Sequence, residues 1–118
     1  MNAIDLNTGE YVWKVPFGES PELKAKGISQ TGLESYGGPV VTASGLLFIA
    51  GTKDGYLRVY DKKNGRLLRE IQLPAAAFAT PSTYEANGKQ YIVVACGGTK
   101  LGAKGGDSYI AFALPNTK

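Results

Sequence analysis

The sequence predicts an all-β fold built from repeated antiparallel units, and three observations support this. The segment from Ala3 to Trp13 recurs in weaker form from Val59 to Arg69, at a constant offset, because 61 minus 5 and 65 minus 9 both give 56. Apart from one short turn of helix at residues 21–26, no segment keeps a sustained 3.6-residue apolar spacing. The 16 glycines and 7 tyrosines among 118 residues suit short twisted strands joined by tight turns.

Each copy of the repeat places an aspartate four positions before a glycine: Asp5 before Gly9, and Asp61 before Gly65. This spacing predicts a strand, a turn with positive φ at the glycine and a returning strand. The aspartate carboxylate can accept hydrogen bonds from the amides of the turn. Since one such unit cannot cover its own apolar faces, it must stack against neighbouring units.

Short runs of strand-forming residues follow one another closely along the chain. The hairpin turn at Asn87-Gly88 is the clearest local signal, because Asn-Gly between strand formers specifies a two-residue connection, and residues 43–45 predict a similar turn. Nine strands are predicted, at residues 2–5, 11–15, 38–42, 46–50, 56–60, 67–73, 79–84, 90–95 and 108–113.

Four-stranded antiparallel blades, with strands A to D running outward from a central axis, accommodate these strands as a partial β-propeller. Residues 1–118 form a single domain of about two blades, incomplete at both ends. In this prediction residues 2–15 supply strands C and D of one blade. Residues 38–73 form a complete blade, and residues 79–113 supply strands A to C of a further blade.

The propeller arrangement sorts the connections onto two faces. The tight turns fall on one face, while the long or glycine-rich connections at residues 16–37, 51–55, 74–78 and 97–107 fall on the other. Loops beyond about 12 residues are uncommon without a function. The second face also gathers lysines, which either form a field for an anionic ligand or simply occupy solvated loops: Lys24, Lys26, Lys53, Lys100 and Lys104.

Composition excludes several functional classes. The net charge of +3 comes with lysines scattered through loops, so we expect no nucleic-acid partner. No apolar run approaches the ~20 residues needed to span a bilayer, and the first fifteen residues predict no signal peptide. The absence of histidine excludes histidine triads and histidine-ligated zinc within this chain, and the lone Cys96 cannot form an internal disulfide.

Several short motifs together carry a family resemblance. They are residues 37–43 (GGPVVTA), 79–81 (Ala-Thr-Pro), 87–91 (NGKQY) and 106–115 (GDSYIAFALP), in addition to the element from Asp5 to Trp13. In combination, the chain resembles the C-terminal part of a pyrroloquinoline quinone (PQQ) dependent dehydrogenase, or quinoprotein, of the membrane-bound glucose dehydrogenase and alcohol dehydrogenase type. In that family the tryptophan packs between adjacent blades; Arg69 stands at the equivalent position of the second repeat.

The resemblance implies an eight-bladed propeller with PQQ on its axis, a bound calcium, and an aspartate base that assists hydride transfer from a sugar or alcohol to the quinone. The matching blades for the base and the calcium ligands would lie upstream of Met1. We therefore expect no catalytic residue and no metal ligand in this chain, no tightly bound cofactor, and no activity of the chain alone. The resemblance also implies a periplasmic location, and partners in the remaining blades or, through exposed blade edges, in a second copy.

Two loop segments are the candidate cofactor-binding residues. Gly37 and Gly38, after Tyr36, would let backbone amides approach a flat ring or a carboxylate, or would merely permit a bend into a crowded central strand. The last long loop, which by resemblance overhangs the cofactor, would contribute Thr99, Lys100 and Leu101, or would simply be mobile.

Two other functions remain open at this point. A noncatalytic propeller scaffold of the outer-membrane assembly factor type would need exposed aromatic or apolar surface for peptide strands. A free-standing carbohydrate-binding β domain would be a closed monomer with modest sugar affinity. A quinoprotein instead needs glycine-lined, cationic loops near the axis, and residues 51–55 and 97–107 favour it.

Overall fold

Three antiparallel sheets make up the computed structural model, which describes residues 1–115. The first sheet pairs β1 (Asn2–Ile4) with β2 (Tyr11–Lys14). The second contains β3 (Val40–Val41), β4 (Leu46–Ile49), β5 (Tyr56–Asp61) and β6 (Leu67–Gln72), and the third contains β7 (Ser82–Ala86), β8 (Lys89–Gly97) and β9 (Asp107–Ala113). Strands follow chain order within every sheet, so the predicted all-β, partial-propeller fold class is confirmed. The assignment of residues 2–15, 38–73 and 79–113 to individual blades stays a prediction.

Two predicted strand boundaries are wrong, and one contact between residues distant in the chain accounts for both. The strand expected at residues 38–42 is only Val40–Val41, and the one expected to begin at residue 79 begins at Ser82. Thr80 is used otherwise, because its hydroxyl accepts a hydrogen bond from the Gly38 amide at 2.8 Å. Pro81 has no amide hydrogen to donate to a neighbouring strand. The approach to β7 is therefore a side-chain-bonded connection instead of a paired strand.

The predicted helical turn at residues 21–26 forms as α1 (Pro21–Lys24) and a closing turn. Gly27 has φ of 80°, and its amide donates to the Lys24 carbonyl at 2.9 Å. The Ile28 amide reaches back to the Leu23 carbonyl at 3.0 Å, so the helix ends in a Schellman motif. No helix within residues 1–115 is long and apolar enough to cross a membrane.

Both copies of the aspartate-glycine turn have the predicted geometry. Gly9 and Gly65 have φ of 75° and 70°, in the left-handed region where glycine is favoured. The Asp5 carboxylate accepts a hydrogen bond from the Asn7 amide at 2.8 Å. The Asp61 carboxylate accepts one from the Lys63 amide, two residues on, also at 2.8 Å. The 56-residue repeat of the sequence is thus a repeat of structure.

Trp13 joins the first sheet to the second. Its indole nitrogen donates to the Lys62 carbonyl at 2.9 Å, and its ring lies on Gly65, where an added Cβ would be 2.6 Å from a ring carbon. One copy of the repeat therefore supplies the ring and the other supplies a turn without a side chain to receive it. Around this contact lies a core of four buried residues packed against Met1, Trp13 and Val15: Phe17, Leu47, Ile49 and Tyr60.

A second core joins the second and third sheets. Leu57 of β5 and Val94 of β8 belong to one cluster and are almost completely buried. Several of their neighbours in the cluster have small side chains, which lets the backbones approach. Cys96 is buried in the same cluster, as predicted, and this burial raises the pKa of its thiol. The other buried members are Ala50, Leu73, Ala75 and Ala77.

Apolar side chains remain exposed on the outer sheets. In the first sheet these are Ile4, Tyr11 and Val12, and in the third sheet Tyr84 and Tyr109. Within residues 1–115, β9 also has a strand neighbour on one side only. The stack of sheets thus leaves apolar side chains and a strand edge uncovered.

Gly65→Ala should destabilise the protein far more than Gly9→Ala. Both substitutions place alanine at positive φ, which costs roughly 1–2 kcal/mol, but only the Cβ at residue 65 would meet the Trp13 ring, since nothing lies within 4 Å at residue 9. We expect a loss of about 3 kcal/mol or more at residue 65 and of about 1 kcal/mol at residue 9. Urea unfolding followed by fluorescence of Trp13, the single tryptophan, measures both; equal losses would contradict the contact.

Candidate functional site

The long connections between strands meet at one side of the sheets. Ser35 and Thr52 form an isolated antiparallel bridge, and the Tyr36 amide donates to the Gly51 carbonyl at 2.9 Å. These contacts join the connection before β3 to the loop between β4 and β5. The connection before β7 joins the end of β8, where the last loop begins, since the Gly97 amide donates to the Ala76 carbonyl at 2.8 Å.

Gly37 and Gly38 are used in packing within the chain. Gly37 has φ of 82°, and a Cβ there would lie 2.8 Å from the Phe78 carbonyl oxygen. The Gly38 amide already donates its hydrogen bond to the Thr80 hydroxyl. These contacts favour a bend into the central strand over direct cofactor contact as the role of the two glycines.

Tyr36 and Lys100, predicted from separate loops, come together. The Lys100 ammonium lies 4.5 Å from the centroid of the Tyr36 ring, and the Phe78 ring meets the same ring edge-on at a centroid distance of 6.4 Å. Tyr36 is 40% exposed. A cation held on an accessible aromatic face can interact with a planar anionic molecule through both charge and stacking.

The remaining two predicted residues flank Lys100 in the last loop. Lys100 begins a 3₁₀ turn, Lys100–Gly102, in which Leu101 has φ of 57°. Thr99, exposed, precedes this turn. The base of the loop is tightly closed, because a Cβ at Gly97 would lie 2.1 Å from the Gly106 carbonyl oxygen. The tip therefore projects from a fixed base.

A buried ion pair lies next to this loop face, and the sequence analysis did not single it out. The Arg58 guanidinium is almost completely buried and donates from Nη2 to the Asp54 carboxylate at 2.6 Å. Its Nε donates to the Glu70 carboxylate at 2.7 Å, and its Nη1 donates to the Thr52 hydroxyl at 3.1 Å. We call Arg58, Asp54 and Thr52 the arginine cluster. A charged residue inside the apolar run of β5 is the signal that could have identified it.

Both members of the buried pair are charged. Burial by itself raises the pKa of the Asp54 carboxyl, but hydrogen bonds from Arg58, Thr52 and the Glu19 amide outweigh it and hold the pKa below its usual value. Burial likewise lowers the pKa of Arg58, and its carboxylate partners reverse that effect. Two aromatic rings flank the guanidinium, with centroids 5.7 Å away for Phe17 and 5.3 Å away for Tyr56.

A polar cleft of about 240 Å³ opens beside the arginine cluster. Its charges are largely paired within the chain, since the Lys24 ammonium lies 2.6 Å from the Glu19 carboxylate. Residues 1–115 contain no group of three or more acidic or cysteine side chains placed to hold a metal ion. The residues that line the cleft include Glu19, Lys24, Tyr56, Arg58, Glu70 and Gln72.

Comparison with known proteins agrees with this architecture. The profile of a family described as PQQ glucose/ethanol/alcohol dehydrogenase, beta-propeller domain, matches residues 1–92. A quinoprotein glucose dehydrogenase of Escherichia coli (strain K12) is 43% identical over 98% of this chain, and a quinoprotein glucose dehydrogenase A of Acinetobacter calcoaceticus is 42% identical over 98%.

Among solved structures, a europium-containing methanol dehydrogenase superposes with a TM-score of 0.62 at 30% identity, covering 81% of this chain and 14% of its own. The chain spans about 15% of the length of the two curated glucose dehydrogenases that it matches. It is thus similar to one segment of proteins that are much longer. With nearly four fifths of its residues matched by the family profile, the chain belongs to the PQQ-dependent glucose, ethanol and alcohol dehydrogenases and corresponds to a segment of their β-propeller domain.

Proposed function

We propose that the chain is the C-terminal propeller segment of a PQQ-dependent dehydrogenase that oxidises a glucose-like sugar or an alcohol by hydride transfer to the quinone. The observation that carries the proposal is the loop face on which the exposed Tyr36 ring and the Lys100 ammonium meet. The similarity to quinoprotein glucose dehydrogenases across 98% of the chain favours a sugar. In this proposal the chain forms one wall of the active site.

The residues on the loop face fit a flat anionic cofactor in part. The Lys100 ammonium can pair with a carboxylate, and the Tyr36 ring can face a planar ring system. Gly37 and Gly38 would shape the wall through their close approach to the next connection and not as free amide donors. Thr99 and Leu101 would position Lys100 within the turn. PQQ, when bound, supplies the electron-accepting chemistry, while the protein places it.

We assign no catalytic residue and no calcium ligand to this chain. Three acidic side chains near the loop face already have partners within the chain. Glu34 accepts a hydrogen bond from the Tyr36 hydroxyl at 3.5 Å. Asp54 is bonded to Arg58, and Glu19 is paired with Lys24. In our proposal the proton-accepting carboxylate and the calcium ligands come from other blades, so the chain alone is inactive and binds PQQ weakly.

The proposal also implies which partners this chain has and where the complete enzyme acts. The uncovered side chains of the outer sheets, among them Tyr11 and Tyr109, and the free edge of β9 would be covered by further blades of the propeller. When no further blade is present, a second copy of the chain would serve in their place through strand-edge pairing. We place the complete enzyme in the periplasm, where the resemblance implies that it acts.

A noncatalytic scaffold is the alternative function, and the exposed Tyr84 and Tyr109 side chains are the surface that it would use. Such a scaffold would bind extended peptides at the edge of β9 and would not discriminate PQQ from other anions. Titration with PQQ therefore distinguishes the two functions.

Lys100→Gln should weaken PQQ binding about three- to tenfold, because it removes one charge-assisted contact. Lys104→Gln is the matched control, since it removes the same charge from the same loop without touching the Tyr36 ring. PQQ with calcium is titrated against the chain, alone and together with upstream propeller fragments, and followed by cofactor absorbance. Equal weakening by the two variants would contradict a specific role for Lys100.

The isolated chain should self-associate in a concentration-dependent manner. The free edge of β9 carries backbone groups with no strand partner on that side within residues 1–115, and exposed apolar side chains flank it. Sedimentation velocity over a hundredfold concentration range measures the assembly, and amide exchange locates the strand. A monomer at all concentrations with freely exchanging β9 amides would contradict the expectation.

A further inference from the structure

We propose that Arg58 and Asp54 are positioning residues: the buried pair holds the loop at residues 51–55 in the conformation that fixes Tyr36 and the Gly37-Gly38 wall. The role of the pair in cofactor binding rests on the proposed function, whereas the contacts by which it holds the loop do not. Two links connect the guanidinium to the Tyr36 backbone, and a third connects it to the start of the same segment.

The first link runs from the guanidinium into the loop. Arg58 lies in β5 and donates to both the Asp54 carboxylate and the Thr52 hydroxyl, and the same hydroxyl donates to Asp54. The loop itself contains two glycines at positive φ, Gly51 at 108° and Gly55 at 74°. Because glycine loses more conformational freedom on ordering than any other residue, such a loop needs side-chain bonds to hold one shape.

The second link runs from the loop to the candidate wall. Thr52 forms a bridge with Ser35, and the neighbouring Gly51 carbonyl accepts the Tyr36 amide. The approach is so close that a Cβ on Gly51 would lie 1.8 Å from the Tyr36 carbonyl oxygen. A small shift of the loop would therefore displace Tyr36, and with it the ring that faces Lys100.

The third link ties the start of the same connection to the cluster. The Glu19 amide donates at 3.0 Å to Asp54 Oδ2, the oxygen that also accepts from Arg58 Nη2, and the Phe17 ring packs near the guanidinium. Asp54 thus bonds to the connection before β3 near its beginning, while Thr52 contacts it near its end. The arginine cluster therefore contacts two points of a segment that otherwise has little regular structure.

Amide exchange tests this role directly. Asp54→Asn keeps the side-chain shape but removes the charge and places a donor against the guanidinium, so exchange of the Tyr36 amide should accelerate at least tenfold. The Gly97 amide, bonded to Ala76 on the same loop face without contact to Arg58, should change less than threefold. Glu70→Gln is the matched control, because it removes the other carboxylate partner of Arg58, which is bonded to neither loop.

Arg58→Lys provides the second variant. It keeps the positive charge but lacks the planar fork that bonds Thr52 and Asp54 together, so it should behave like Asp54→Asn. Equal acceleration at Tyr36 and Gly97 would show that the pair acts only on global stability and would overturn the proposal. An effect of Glu70→Gln as large as that of Asp54→Asn would do the same.

A second readout connects the cluster to the cofactor. PQQ titration of the same variants should show a three- to tenfold loss of affinity for Asp54→Asn and less than twofold for Glu70→Gln. Unchanged affinity despite a loosened Tyr36 amide would overturn the claim that the pair serves the cofactor wall. Failure of the unsubstituted protein to bind PQQ, alone and with upstream propeller fragments, would reject the proposed function, while the exchange experiment would still decide the positioning role.

Discussion

The seating of the Trp13 ring on Gly65 is the constraint on which the stack of sheets depends. Each sheet is too thin to bury its own apolar residues, so stability must come from packing one sheet on the next. A large ring can fill the gap between sheets only where the facing backbone carries no side chain. Because the repeat provides both the ring and the bare turn at a fixed offset, one local motif specifies how neighbouring units meet.

This stacking determines where the loops lie. The two cores bury the faces between successive sheets and bring the connections that precede and interrupt those sheets to one side. The three alanines at positions 75–77 are buried, and the Ala76 carbonyl accepts a hydrogen bond from the Gly97 amide. Lys100 and Tyr36, 64 residues apart in the sequence because 100 minus 36 is 64, meet only because of this arrangement.

The sequence predicted what depends on local chemistry. The turns at Gly9, Gly65 and Asn87 need positive φ, and glycine and asparagine are the residue types that adopt it most readily. All three residues have the expected positive φ. The start of β7 was missed because it depends on a bond between Thr80 and Gly38, 42 residues away in the chain. The arginine cluster was missed for the same reason: its partners lie on β6 and on the connection before β3 as well as on its own loop.

The buried pair itself is understandable as a device for geometry more than for stability. Removing two charges from water costs about as much as their attraction returns, so an apolar pair of similar volume could stabilise the sheet equally well. An apolar pair could not bond the Thr52 hydroxyl and the Glu19 amide, and the glycine-containing loop would then have many conformations of similar energy. Directional bonds to Arg58 select one of them. What the buried pair provides in return for its desolvation is therefore a defined position for the segment that carries Tyr36.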